Sequence, residues 1–190
     1  MINEIRLCLV GMPGVGKSTA GRMLAKQLKV QFFDSDAVIE QRLCGETIKQ
    51  FFSRCGEEAF RDLESEVLAE LVGRGGEWVL ATGGGAVLRE RNRELLRTHS
   101  TVIYLRSSPD EIFRRLRGDT QRPLLQVPNP QQKLRDLYAQ RDPFYRRCSH
   151  YAVETGRPAV HTLCNMILMQ LELDGSISSS RVPATVGVLG

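Results

Sequence analysis

Eight consecutive residues, Gly11-Met12-Pro13-Gly14-Val15-Gly16-Lys17-Ser18, fit the pattern G-x-x-x-x-G-K-[ST]. The chemistry of this pattern is phosphate binding. Its glycines let successive backbone N–H groups turn inward onto phosphate oxygens, and a helix opening at the end of the loop adds the positive end of its dipole. Gly14, Val15, Gly16 and Thr19 would then contact ATP, Lys17 would reach the β- and γ-phosphates, and the Ser18 hydroxyl would ligate Mg²⁺. The competing reading is a glycine-rich turn that carries Lys-Ser by chance.

Two further clusters are of the right type to complete such a site. In Asp34-Ser35-Asp36 the carboxylates are two residues apart, so an extended backbone sends both in one direction. Beside a triphosphate, one could help to hold Mg²⁺ and the other accept a hydroxyl proton; N-capping of a helix is the alternative. Gly83-Gly84-Gly85 follows a strand-like run in which no Asp or Glu supplies a metal carboxylate, so Asp34 is the candidate for that role. Glycines there let the backbone approach a ligand and donate N–H groups, although a plain loop fits as well. Of the 26 basic residues only five are lysine. Arginine matches carboxylate and phosphate oxygens two at a time, so small anionic ligands fit this chain better than a nucleic acid does, given a net charge of +4 and 6% aromatics. Solvated helix faces account for most of the arginines in any case.

These residues need elements to position them. Ile5–Val10 is a short apolar run stopped by glycine, which predicts a buried strand, and Ser18–Leu28 has helical spacing. Val30–Phe33 predicts a second strand, closing on Asp34. Helical patterns follow over Ala37–Leu43, Ile48–Phe52 and Ala59–Val72. Trp78–Ala81 and Thr101–Leu105 read as strands, with a helix near Arg89–Arg97 between them. Pro109 opens a helix to about Leu116. Gly118–Pro130, with three prolines and little periodicity, reads as a functional loop or a disordered one; a moving lid that carries Arg122 is one reading of it, a static surface loop whose arginine pairs with a nearby carboxylate the other. Helix resumes over Gln131–Arg141, Tyr151–Val153 is a last short strand, and Ala159–Leu173 is amphipathic. Strands alternating with helices predict an α/β architecture with a parallel sheet covered on both faces and ligands at the carboxyl ends of the strands.

With 190 residues, 42% of them hydrophobic and 25% charged, the chain is expected to form a single domain over 1–173. Asp174–Gly190, rich in Ser, Gly and small residues, is expected to be a disordered tail. No stretch is long and apolar enough to span a bilayer, and the first residues lack the apolar core of an export signal. Five scattered cysteines without CxxC spacing suit a reducing cytoplasm. A monomer binding small molecules, with no nucleic acid and no membrane, is the expectation.

Taken together, the motifs resemble those of the shikimate kinases of aromatic amino-acid biosynthesis. The resemblance covers about residues 5–172. It rests on the phosphate loop, Asp34-Ser35-Asp36, Glu58-Ala59-Phe60-Arg61, Gly83-Gly84-Gly85-Ala86-Val87, Gln121-Arg122-Pro123-Leu124-Leu125 and Arg141-Asp142-Pro143-Phe144-Tyr145, in that order. It implies a three-layer P-loop kinase fold of about five parallel strands, and phosphoryl transfer from ATP to the 3-hydroxyl of shikimate with Mg²⁺. It implies that Asp36 binds shikimate hydroxyls and takes a proton, that Arg61 and Arg141 grip the substrate carboxylate, and that Gly84 touches the substrate through its backbone. Arg122 resembles the lid arginine over the ATP phosphates, Arg157 a contact at the adenine end, and Asp34 the carboxylate near Mg²⁺. Two other readings remain: a related sugar-acid kinase such as gluconate kinase, and a nucleotide-binding switch without an acceptor. A GTPase would need N-K-x-D, and no such run occurs.

Overall fold

The computed structural model describes residues 4–117, 127–156 and 159–182. Five strands form one sheet: β1 (Arg6–Val10), β2 (Gln31–Asp34), β3 (Trp78–Ala81), β4 (Thr101–Arg106) and β5 (Tyr151–Glu154). They lie in the order β2-β3-β1-β4-β5, and every pairing is parallel. Alternation along the strands divides the core in two. Cys8, Val10, Trp78, Leu80, Val102 and Tyr104 face one side, and Leu7, Leu9, Val79, Ile103 and Leu105 face the other.

Helices cover both faces. α1 (Lys17–Leu28) and α7 (Val160–Leu173) pack on the second side. The first is covered by α2 (Ser35–Arg42), α3 (Ile48–Gly73), α4 (Glu90–His99), α5 (Pro109–Leu116) and α6 (Pro130–Cys148). This is the expected three-layer α/β plan. Because all strands are parallel, Val10, Asp34, Ala81, Arg106 and Glu154 end at one edge of the sheet.

The separate helical patterns at 48–52 and 59–72 are borne out: α3 consists of two helical stretches that meet at a kink where Gly56, with φ 83° and ψ 176°, leaves helical geometry in a conformation open to glycine and strained for other residues. Two expectations change. The helix expected to end at Arg141 continues to Cys148 with Pro143 inside it, so Arg141-Asp142-Pro143-Phe144-Tyr145 is helical throughout. The tail expected to be disordered from Asp174 is placed against the domain as far as Val182. Ile177 is buried and its N–H bonds the Leu171 carbonyl, while Arg181 pairs with Glu77 at 2.7 Å. Composition undervalued these few anchoring side chains. Residues 183–190, the lid segment 118–126 with Arg122, and Arg157 lie outside the described residues.

Candidate active site

β1 delivers the chain into the phosphate loop, and α1 begins at Lys17 directly after it. Gly16 caps α1 with φ 99°, a left-handed conformation that lets the loop turn into the helix. Lys17 is almost wholly buried, and its Nζ donates to the carbonyls of Gly11 and Met12 at 2.8 and 2.9 Å. The loop is therefore closed around its lysine. Val15 contributes through its backbone only, because its side chain belongs to the core.

β2 brings Asp34 to the same edge, in register with Ala81 of β3. Of the two roles weighed for this aspartate, the structure shows the helix cap. Oδ1 caps α2 by accepting from the N–H groups of Asp36 and Ala37, and Oδ2 accepts from the Ser18 hydroxyl at 2.5 Å. Ser35, fully buried between the carboxylates, accepts from the Gly83 N–H at 3.0 Å, so this triplet is locked to the glycine run. Burial raises the Asp36 carboxyl to about 6; Asp34, Glu64 and Glu40 add to the rise and Lys17 opposes it.

The glycine run works by close approach. A Cβ on Gly83 would come within 2.7 Å of Asp36 Oδ1 and 3.0 Å of Glu64 Oε1, and one on Gly84 within 2.7 Å of the Pro13 ring. A Cβ on Gly85 would strike the Arg61 guanidinium. Any side chain here would push apart the phosphate loop, the aspartate and the arginine.

A cavity of about 520 Å³ joins these parts, lined among others by Gly14, Gly16, Lys17, Ser18, Thr19, Asp34, Asp36 and Gly84. Arg61 and Arg141 do not line it; the Arg61 guanidinium lies against Gly85. Arg61 is buried, with Nη1 on Glu64 Oε2 at 2.5 Å. Burial raises the Glu64 carboxyl above its ordinary value against the pull of Arg61 first and Arg141 after it. Three atoms of this cluster, Arg61 Nε, Glu64 Oε1 and Arg141 Nε, are buried without a hydrogen-bond partner, Arg61 Nε lying 3.5 Å from Glu57 Oε1; the two guanidinium N–H groups are of the type that meets an anionic group, the carboxylate oxygen of the type that meets a hydroxyl.

Sequence reasoning missed Glu64 and Arg115. Glu64 is three residues after Arg61 on a helix, a spacing that could have flagged it as the arginine's counter-charge. Arg115 lines the cavity and binds the Val15 and Thr155 carbonyls, tying the phosphate loop to the end of β5. Nothing in its surroundings in the sequence distinguishes it from the neighbouring arginines.

Residues 13–172 match the family model described as shikimate kinase. The shikimate kinase of Cupriavidus pinatubonensis is 52% identical over 169 residues, which span 89% of this chain and 87% of that protein. The shikimate kinase of Ralstonia nicotianae is 51% identical over 88% of this chain and 87% of that one. The chain belongs to the shikimate kinase family. The activity that accompanies membership is ATP-dependent phosphorylation of shikimate. A shikimate kinase from Acinetobacter baumannii, solved in complex with shikimate, superposes with a TM-score of 0.84 at 46% identity, covering 92% of this chain and 96% of that one. The fold is thus that of the shikimate kinases. No helix among the described residues is long and apolar enough to cross a membrane.

Proposed function

We propose that this site transfers the γ-phosphoryl group of ATP to the 3-hydroxyl of shikimate, with Asp36 as the proton acceptor. The observation that carries this reading is the meeting, at one sheet edge, of a phosphate loop, a carboxyl poised near pH 6 and a buried arginine–glutamate cluster with unfilled hydrogen-bonding capacity. The acceptor's carboxylate lies against Arg61 and Arg141, and its ring hydroxyls reach Asp36 and the Gly84 backbone. As the hydroxyl oxygen bonds to the γ-phosphorus, its proton passes to Asp36 and the bond to the β–γ bridging oxygen breaks, releasing ADP. Such a transfer needs positioning and charge neutralisation more than covalent help. Lys17 supplies charge at the transferring group. Arg122 and Arg157 enter this reading through the resemblance of the sequence alone, the first at the phosphates and the second at the adenine end.

Ser18 Oγ and Asp34 Oδ2, 2.5 Å apart, form a hard-oxygen pair of the kind Mg²⁺ accepts alongside phosphate oxygens and water. Among the described residues no group of three or more His, Cys, Asp or Glu side chains could hold a metal. When bound, Mg²⁺ neutralises phosphate charge. The enzyme is read as a cytoplasmic monomer acting on small molecules, without nucleic-acid or membrane partners, its domain spanning 1–173 with residues 174–182 anchored to it. Coupled measurement of ADP release with Mg²⁺·ATP tests the function against shikimate, gluconate and nucleoside monophosphates. Release dependent on shikimate is expected; release without any acceptor, or with gluconate preferred, overturns the reading.

A further inference from the structure

The segment Arg141-Asp142-Pro143-Phe144-Tyr145 supplies one substrate contact, Arg141, yet its last residue is built into the site more firmly than a core aromatic needs to be. Tyr145 is fully buried, one helical turn beyond Arg141 on the same face of α6. Its ring stacks on Tyr104 with centroids 5.0 Å apart and planes at 30°. Its hydroxyl donates to the carbonyl of Gly84 at 2.6 Å.

The other carbonyls of the glycine run are satisfied nearby. Gly83 O accepts from the Ala86 N–H at 3.2 Å, and Gly85 O from the Leu88 N–H at 3.0 Å. Gly84 thus differs from its neighbours in having its carbonyl held by a side chain from a distant helix. Three successive glycines have wide backbone freedom, so the peptide after Gly84 takes its orientation from this bond. The Arg141 guanidinium acts on the same hydroxyl and lowers its proton affinity, although burial still holds the phenol up at about 12, a neutral donor throughout the working range. A donor polarised by a cation bonds its own acceptor more strongly.

We propose that Tyr145 is a positioning residue: by tying the Gly84 carbonyl to the helix that carries Arg141, it fixes the spacing between the backbone contact and the guanidinium that together receive the acceptor. The proposal rests on the shikimate reading and adds a residue to it. The paired aromatic provides a built-in comparison. Tyr104 shares the stack, but its hydroxyl donates to Asp142 Oδ1 at 2.8 Å and has no bond to the glycine run.

Steady-state kinetics and thermal midpoints of the wild type, Tyr145→Phe and Tyr104→Phe test it. Both variants keep the stack and lose one hydroxyl. Tyr145→Phe is expected to raise KM for shikimate about 5- to 10-fold, the scale of one buried hydrogen bond lost, with kcat and KM for ATP within about twofold. Tyr104→Phe is expected to leave KM for shikimate within about twofold. A KM for shikimate in Tyr145→Phe within about twofold of wild type, whatever its thermal midpoint, overturns the positioning role while the wild type still turns over shikimate. An equal rise in both variants assigns the effect to packing and also overturns it. A wild type that releases no ADP with shikimate instead overturns the functional reading, and this role with it.

Discussion

Burial and the charge of Asp34 raise the Asp36 carboxyl to about 6 against the pull of Lys17, and a group so placed is ionised just below neutral pH while still a competent base. Activity should accordingly fall as pH drops through about 6, and the acid limb of kcat/KM for shikimate measures this. Asp36→Asn should lower turnover by about 100-fold or more while ATP binding is retained, the scale of a lost general base. The same shift has a stability consequence. A carboxyl whose folded-state pKa is raised favours folding below its unfolded value, and that contribution is lost as pH rises through about 6. The thermal midpoint of Asp36→Asn relative to wild type should therefore increase between pH 4 and 7, and a difference independent of pH would contradict the assignment. Lys17→Met should cost at least ~100-fold in kcat, as for the loss of one preorganised charge contact. Near-normal turnover would remove the lysine from the chemistry.

Among the elements, α3 and α6 carry the two arginines proposed to receive the acceptor, and these differ. Arg61 is paired with Glu64, whose side chain is 1% exposed. Removing it strands a buried carboxylate, a change that typically costs about 3–5 kcal/mol. Arg61→Ala should thus lose both shikimate affinity and several degrees of thermal midpoint. Arg141→Ala should weaken shikimate binding roughly 10- to 150-fold, the value of one charge-assisted contact, with the midpoint little changed. Equal losses of stability in the two variants would show that the Arg61–Glu64 pair is not the buried linchpin of α3. The difference between the arginines was not legible in the sequence, because burial depends on how α3 lies against the glycine run. The phosphate loop, Asp34-Ser35-Asp36 and Gly83-Gly84-Gly85 were legible, since each is a local pattern at the end of a strand. The break at Gly56 was legible in the same way, since the helical patterns on either side of it are two helical stretches that meet at a non-helical glycine.

At the scale of the whole molecule, the parallel sheet follows from apolar runs alternating with helical spacing, and it gathers the site because all five strands end at one edge. The chain after α7 did not follow from composition. Ile177 and Val182 join the core cluster beneath α1 and α7, and Arg181 bonds both Glu77 and the Leu28 carbonyl at the end of α1. Few residues do this work, so the average character of the segment hides it. Burying a side chain such as Ile177 contributes about 1.5–3 kcal/mol, and each kcal/mol moves the midpoint of a domain this size by about 2–4 °C. Deleting 174–190 should therefore lower the midpoint by roughly 3–12 °C. An unchanged midpoint would show that the segment is not anchored.

On the proposed function, this edge of the sheet carries a phosphoryl group from ATP to one hydroxyl of shikimate. Nuclear magnetic resonance of the reaction mixture, following phosphorus and the ring protons together, reads that transfer directly with Mg²⁺, ATP and shikimate present. A single new phosphomonoester coupled to the proton on C3, formed in step with ADP, is the expected result. Inorganic phosphate in place of the ester, or an ester at another hydroxyl, would contradict it.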